Sequence, residues 1–579
     1  MLPGSSGTTV TDVRGDVLRV IDGRESDPEH RAAWDWISAG MPWYPAEKKM
    51  WPWKKANRGD RWRPIAMVGV AVANGPVEGN YLPTGLQLWT PERSETVHLQ
   101  GETTDPATVA GVLFNRKTRG HSLVCLYGSS LDLNGILRWW ARGWVEQGFV
   151  IVPIVSGTVC RAIIVRHGRH RWTLCDVESM TGTPVEEAKA EAWDRLRADS
   201  DTVPVLRAVW EWLADLQTSS LREYGAYLRP TVGGTAIRVA GFNLPDEVLI
   251  PRPAPALVGL CRSGMGYRGG YVYGTRYQGE ATMIDCRRMY AHALRRPLPT
   301  RWALGHGLRR DPGAEGIYVS TVTGIPIHPV QLGVWSGPGQ GFIRRLWQGG
   351  ECVAVVPTTE WEGLRAMGLT VVPGWGMTGW EPVTFAPLID RIGLVLAEHG
   401  SGSPIGRLSK LIANAIYGKL AMRSDRETLL YSIERPHEDA FPAVTTEGDE
   451  LADLWTLEQA VYTSYQQVGM AALVTGSARS YLYQEMARHI RDGRRVVHAH
   501  TDGFVITGPP PADLPWDTDT IGAWRIVATD AFATVVRGGG YVLNDDPKWS
   551  GGPGWGRREI EIAFERGEYV VQGLRLAAR

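Results

Sequence analysis

Short unbroken apolar runs mark the first third of the chain. Residues 65–73 and 122–127 read as buried strands, and 151–155 and 161–165 as two more. Apolar positions spaced by three and four predict helices over 131–144 and, more strongly, over 186–216. Strands alternating with helices make residues 61–217 an α/β domain. A Gly-rich stretch, 264–274, leads into a strand ending at Asp285, and 300–384 is rich in strands and turns. Two helical segments, 385–398 and 404–422, are joined by Gly400-Ser401-Gly402-Ser403, a composition that forces a turn and predicts an antiparallel helical hairpin. Residues 424–455 are acidic and read as loop, 461–491 as a long helix, 495–507 as a β-hairpin, and the tail from 549 as short strands and turns. Residues 1–60 are polar and Pro/Trp-rich with weak periodicity, and read as an irregular arm. The pattern as a whole is a multidomain α/β plus α+β chain.

At 579 residues the chain exceeds one core, and roughly three to five subdomains are expected. No apolar run is long enough to span a bilayer, and residues 1–25 lack the apolar stretch of a signal peptide, so a cytoplasmic protein without a membrane partner is expected. The six cysteines are scattered, with no Cys-x-x-Cys pair and no His at ligand spacing. That argues against structural zinc and a disulfide framework, and for buried thiols. Lys+Arg and Asp+Glu are equal at 62 each, so net charge neither supports nor excludes nucleic-acid binding. Arg295, Arg296, Arg301, Arg309 and Arg310 form one local basic stretch, for which a solvated face is the plain reading. The 25 tryptophans read mostly as core or groove filler, although such rings also stack on bases.

Three segments carry candidate chemistry. Asp285 ends a strand, and Asp502 sits in a turn between apolar strands. Carboxylates on two such ends can meet and offer hard oxygens to divalent ions, the requirement for phosphoryl transfer. Each also has an ordinary reading, because Asp-Gly is a favoured hairpin turn and a carboxylate often ends a strand. The middle segment decides between them. Lys410, Asn414, Tyr417 and Gly418 fall on one helical face, with Leu408, Leu411, Ile412, Ala415, Ile416 and Leu420 around the rest. That face offers an ammonium for a triphosphate, an amide, and a ring beside a glycine that admits close approach.

These segments resemble the motifs of family B DNA polymerases, nearest the protein-primed branch of small bacteriophages and linear mobile elements. Asp285-Cys286-Arg287-Arg288-Met289-Tyr290-Ala291 resembles motif A, residues 410–418 motif B, and His498-Ala499-His500-Thr501-Asp502-Gly503 motif C. Tyr267-Arg268-Gly269-Gly270 is similar to the Tyr-x-Gly-Gly element between exonuclease and polymerase domains, and 471–479 to the helix before motif C. The likeness covers about 225–545, is thinner over 60–217 and is absent from 1–60.

The resemblance implies a right-hand polymerase of palm, fingers and thumb behind an RNase H-like 3′–5′ exonuclease-type domain at 61–217. The palm would span 218–296 and 462–545, the fingers 385–421 and the thumb 546–579. Insertions at 297–384 and 422–461 would correspond to two terminal-protein regions. Asp285, Asp502 and the Cys286 backbone carbonyl would hold two Mg²⁺ ions, for which Mn²⁺ can substitute. Tyr290 would be the sugar gate, Lys410 the triphosphate contact, and Asn414, Tyr417 and Gly418 the lining of the nascent base pair. Tyr267, Gly269 and Gly270 would follow the template, with Arg479 and Tyr541 also on DNA. The implied partners of a monomer are primer-template DNA, dNTPs and a terminal priming protein, in a bacterial or phage-infected cytoplasm.

Departures from the family are His500 for an aspartate, Arg288, Ala415 and Gly503 for serines, Ala291 for a proline, and Arg537 where a lysine precedes the tyrosine. The first exonuclease strand, 67–73, has no carboxylate; Asp132 and Asp201 are residual acids; Asp176-Val177-Glu178 is an Asp-x-Glu in the wrong chain order. The expectation is a template-directed DNA polymerase with inactive proofreading. The alternatives are a catalytically decayed polymerase-fold nucleic-acid-binding protein and a polymerase acting in an untemplated or self-priming mode.

Overall fold

The computed structural model describes residues 9–11, 17–19, 28–39 and 557–566 and, between 65 and 549, all except 75–80, 100–104, 120, 126–130, 157–158, 194–201, 245–252, 307–314, 423–424, 437, 439, 445–449, 461–464, 517, 519, 539 and 545. Three large sheets organise it.

A ten-stranded sheet is centred on Ser122–Cys125, which runs parallel to Ile65–Asn74 on one side and His170–Asp176 on the other. Every residue of Ser122–Cys125 is buried, as an apolar strand covered on both faces requires. Alternate residues feed two cores: Ile65 and Met67 join Leu206 and Val209, while Ala66 and Val68 join Trp140 and Trp144. Those partners lie on helices Thr202–Tyr224 and Leu131–Glu146. The indole of Trp210 donates to the Ile65 carbonyl at 3.0 Å, fixing the first helix against the sheet.

An antiparallel seven-stranded sheet runs in the order Tyr271–Gly274, Val496–Thr501, Gly503–Thr507, Tyr277–Cys286, Trp524–Arg537, Gly540–Leu543, Asp546–Trp549. The helix Val468–Arg491 packs on it and on a six-stranded sheet built from residues 298–383. Contact with the short helix Trp361–Ala366, between two strands of that sheet, is close: a Cβ on Gly363 would lie 2.5 Å from the Ser480 Cα. The Gly363 amide also donates to the Ser480 hydroxyl at 2.8 Å. The helices Ala386–His399 and Pro404–Leu420 form the expected hairpin, turning at Gly400 with φ 77°.

Several elements differ from expectation. The arm contains a helix, Pro28–Ala39, whose Ala33 and Ile37 are buried one turn apart. Trp34 stacks on Trp375 and Trp36 meets Trp335 edge-on, so this helix docks on the six-stranded sheet. Flanking Pro and polar residues had masked its short apolar stripe. Residues 424–455 are not loop but contribute to Asp425–Tyr431, Ala440–Val444 and Glu450–Ala460, which extend the ten-stranded sheet through Tyr431 opposite Ile151. Charged residues in these strands, such as Asp425, Arg426 and Glu427, gave the segment its loop-like composition. Residues 186–216 divide between helices Val185–Trp193 and Thr202–Tyr224, and the helix expected from 461 begins at Val468. The tail forms a helix, Arg557–Arg566, seated by Ile560 against Val536 and Val542. Among the described residues no helix is long and apolar enough to cross a membrane.

Candidate active site

Asp285 is the penultimate residue of Tyr277–Cys286 and lies opposite Gly503 in the adjacent strand. Asp502 is the single residue between Val496–Thr501 and Gly503–Thr507, and Thr501 before it takes the left-handed φ of 57° that so tight a turn demands. The Cys286 amide donates to the Asp502 carbonyl at 2.8 Å, which ties the two segments together through the main chain. The Thr501 hydroxyl donates to Asp502 Oδ1 at 2.6 Å. Burial, then the charge of Asp502, pushes the Asp285 carboxyl up to about 6, against the pull of Arg525. Arg525 stands opposite Asp285 on Trp524–Arg537 and donates from Nη2 to Oδ2 at 3.3 Å.

The hairpin helix presents its polar side as expected. Asn414 and Gly418 are exposed, Lys410 and Tyr417 half-buried, and Ile405, Leu408, Ile412, Ile416 and Leu420 form the buried side. Leu411 and Ala415 are only half-buried, and Ala413 takes the extra core position. The helix is anchored by Ser403, which accepts from the Gly406 amide, and by Ser409, within 2.5 Å of the Tyr224 hydroxyl. Tyr417 stacks on Tyr290 with centroids 4.3 Å apart and planes 11° apart. Tyr290 belongs to the helix Met289–Leu294, entered through Arg288 at φ 56°. A Cβ on Gly270 would come within 2.7 Å of both the Tyr290 hydroxyl and Thr501 Cγ2. The Tyr267–Gly270 segment therefore packs directly on the elements that bear Asp285 and Asp502, and only glycine permits that approach.

A buried ion network fixes this segment. Glu360 accepts from Arg268 at 2.5 Å and from both Nε and Nη2 of Arg479, at 2.9 and 2.7 Å. Arg479 Nη1 also donates to the carbonyls of Arg268 and Gly269. Burial alone would raise the Glu360 carboxyl, but Arg268 and Arg479 outweigh it and hold it below the usual carboxylate range. The Arg479 side chain, expected on DNA, is 1% exposed and holds the loop from beneath. Tyr541, also expected on DNA, is buried with its ring 4.3 Å from that of His498. Burial pushes His498 down to about 3, which keeps it a neutral packing partner. His500 is half-buried on the same strand, opposite Val272 and Gly503. Tyr267 is half-buried and Gly269 exposed.

Sequence reading missed Glu360 and Arg525. Glu360 follows two threonines with no periodic signal, and Arg525 is legible only once its strand is aligned with Asp285. In the ten-stranded sheet, Asp132 lies in the first turn of Leu131–Glu146, and Asp201 lies outside the described residues. Asp176 is 1% exposed and spends Oδ1 on the Ser179 amide as a helix cap. The six cysteines are all buried. Two adjacent carboxylates with main-chain carbonyls beside them make a hard-oxygen set that suits an ion the size of Mg²⁺. Among the described residues no three His, Cys, Asp or Glu side chains gather into a metal site, so Asp285 and Asp502 stand without a third acid.

Neither a protein-family model nor a curated protein sequence matches the chain. Solved structures do. Phi29 DNA polymerase complexed with primer-template DNA and incoming nucleotide substrates is 15% identical, with a TM-score of 0.61 over 87% of this chain and 94% of that one. Phi29 DNA polymerase complexed with single-stranded DNA gives 15% identity and a TM-score of 0.56 over 86% and 94%. The chain has a family B DNA polymerase fold.

Proposed function

We propose that this chain is a template-directed DNA polymerase that adds dNTPs to a primer 3′-OH. The observation that carries the reading is the juxtaposition of Asp285 and Asp502 across a shared main-chain hydrogen bond, beneath the Tyr290–Tyr417 stack. Asp285, Asp502 and the Cys286 carbonyl would hold two divalent ions. Bound there, such ions activate the attacking oxygen and neutralise the leaving pyrophosphate. The chain's own groups do the rest. Lys410 orients the triphosphate from the fingers helix, while Asn414, Tyr417 and Gly418 bound the nascent base pair. Tyr290, braced by Tyr417, closes the space beside the sugar and so rejects a 2′-hydroxyl. Tyr267, Gly269 and Gly270 guide the template over a loop held by the buried Glu360.

Residues 297–384 and 422–461 are assigned to terminal-protein regions, which fits priming by a protein hydroxyl as well as by DNA. The thumb is assigned to 546–579, a range that opens on Asp546–Trp549, the last strand of the seven-stranded sheet. With no acid on Ile65–Asn74, the exonuclease-type domain serves as scaffold and strand guide, and proofreading is inactive. A second reading, a polymerase-fold DNA-binding protein without catalysis, draws on Arg525, whose guanidinium holds Asp285.

Primer extension on a defined template with Mg²⁺ or Mn²⁺, run beside Asp502→Ala, separates the two. Extension by the wild type, lost in the variant, supports the polymerase. DNA binding without extension by either supports the second reading.

A further inference from the structure

The Arg525–Asp285 pair is where the site departs most from an open pair of carboxylates. Register sets it: Arg525 stands directly opposite Asp285 in the neighbouring strand, so the two side chains share one face of the sheet. The guanidinium turns two donors, Nη2 at 3.3 Å and Nε at 3.4 Å, onto the single oxygen Oδ2. Both side chains are about one-fifth exposed, which leaves the pair reachable by solvent ions yet only partly screened. Asp285, Asp502 and Arg525 together carry one net negative charge. Affinity of an oxygen site for a hard cation follows the charge its ligands supply. A divalent ion approaching Asp285 must therefore displace the guanidinium from Oδ2 or share the carboxylate with it.

We propose that Arg525 is a resident competing cation that lowers the affinity of Asp285 and Asp502 for divalent metal, so that the site fills only at high free metal or when a nucleotide brings its own ion. The inference rests on the polymerase reading of the same two carboxylates. Arg525 is fixed in charge at any working pH, so the competition is a constant of the site. It also distinguishes this role from mere support of the Asp285 rotamer. A supporting residue raises metal affinity, and a competitor lowers it.

The test is a Mn²⁺ titration of the full-length protein, read by electron paramagnetic resonance of the free aquo ion and by the Mn²⁺-induced rise in melting temperature. Wild type, Arg525→Gln, Arg525→Lys and Asp502→Asn are compared. Arg525→Gln should bind Mn²⁺ about fivefold tighter, the scale of one partly screened ion pair, and should show the larger melting shift. Arg525→Lys keeps the charge but loses the two-donor fork, and should fall between the two. If Arg525→Gln does not fold, tighter binding by Arg525→Lys carries the proposal. Unchanged or weaker binding in the folded Arg525 variants overturns it and makes Arg525 a support for the carboxylate. Binding by none of the proteins above the Asp502→Asn background overturns the metal reading itself, and this proposal with it.

Discussion

The seven-stranded sheet and the ten-stranded sheet each bring a strand to an end on or beside a carboxylate, with opposite outcomes. Asp176 closes His170–Asp176 and Asp285 nearly closes Tyr277–Cys286, and burial raises the carboxyl pKa of both. What differs is the next element. After Asp176 the chain enters a helix at once, and the side chain is spent on the Ser179 amide at the helix start. After Cys286 the chain is bonded to the turn of another hairpin, so Asp285 meets a second carboxylate. A strand-end aspartate is a site only when a neighbouring strand delivers a partner.

Removing that partner should give the largest effect. Asp502→Ala should reduce primer extension by about 10³-fold or more, the scale expected when charge stabilisation in the transition state is lost. Its melting temperature should stay close to wild type, since the alanine removes a charge that disfavours ionised Asp285. A melting drop as large as the activity loss would turn Asp502 into a structural turn residue. Asp176→Ala marks the other side of the comparison, with a stability loss of about 1 kcal/mol as for a lost helix cap and extension unchanged. A large loss of extension in Asp176→Ala would break the distinction.

A third buried carboxylate sharpens it. Glu360 is as buried as Asp176 but is held by two guanidiniums. Glu360→Gln should cost about 3–5 kcal/mol in denaturant unfolding, because two buried positive charges lose their counter-ion. That exceeds the cap effect and matches in size the roughly 4 kcal/mol that a 10³-fold loss of extension represents, but it appears as lost stability. A cost under about 1 kcal/mol would mean that water compensates the arginines and the network does not hold the loop.

The sequence made some of this legible and hid the rest for physical reasons. The motif residues stand out because Lys410, Asn414 and Gly418 are polar or bare on a helix whose other face is packed. The strands around Ser122–Cys125 stand out because a doubly covered strand is apolar throughout. The strands within 425–460 were concealed by their charged composition, and the helix Pro28–Ala39 by the Pro and polar residues that flank it. The inward direction of Arg479 was hidden because its partner Glu360 lies 119 residues earlier in the chain. Long-range pairs such as Asp285 with Arg525 depend on register, which hydrophobic pattern alone does not fix to the residue.

The smallest effect tests the comparison through pH. In metal-free protein Asp285 titrates at about 6 when folded, against an ordinary 3.8. Between those values the folded chain binds more protons than the unfolded one, so stability falls as pH rises from 4 to 6 and is flat above. With the group one-fifth exposed, the loss should be about 1–2 kcal/mol after screening. Thermal melts in chelator from pH 4 to 7 should show this slope in wild type, and Asp285→Asn should lack that part of it. Millimolar Mg²⁺ should oppose the loss above pH 6, because the ion favours the ionised carboxylates that the empty site disfavours. Asp176 should not respond to the ion in this way, since its carboxylate is buried and its Oδ1 accepts from the Ser179 amide as a helix cap. Equal Mg²⁺ sensitivity in Asp285→Asn and wild type would mean that the ion acts elsewhere, and the contrast between the two strand ends would then rest on geometry alone.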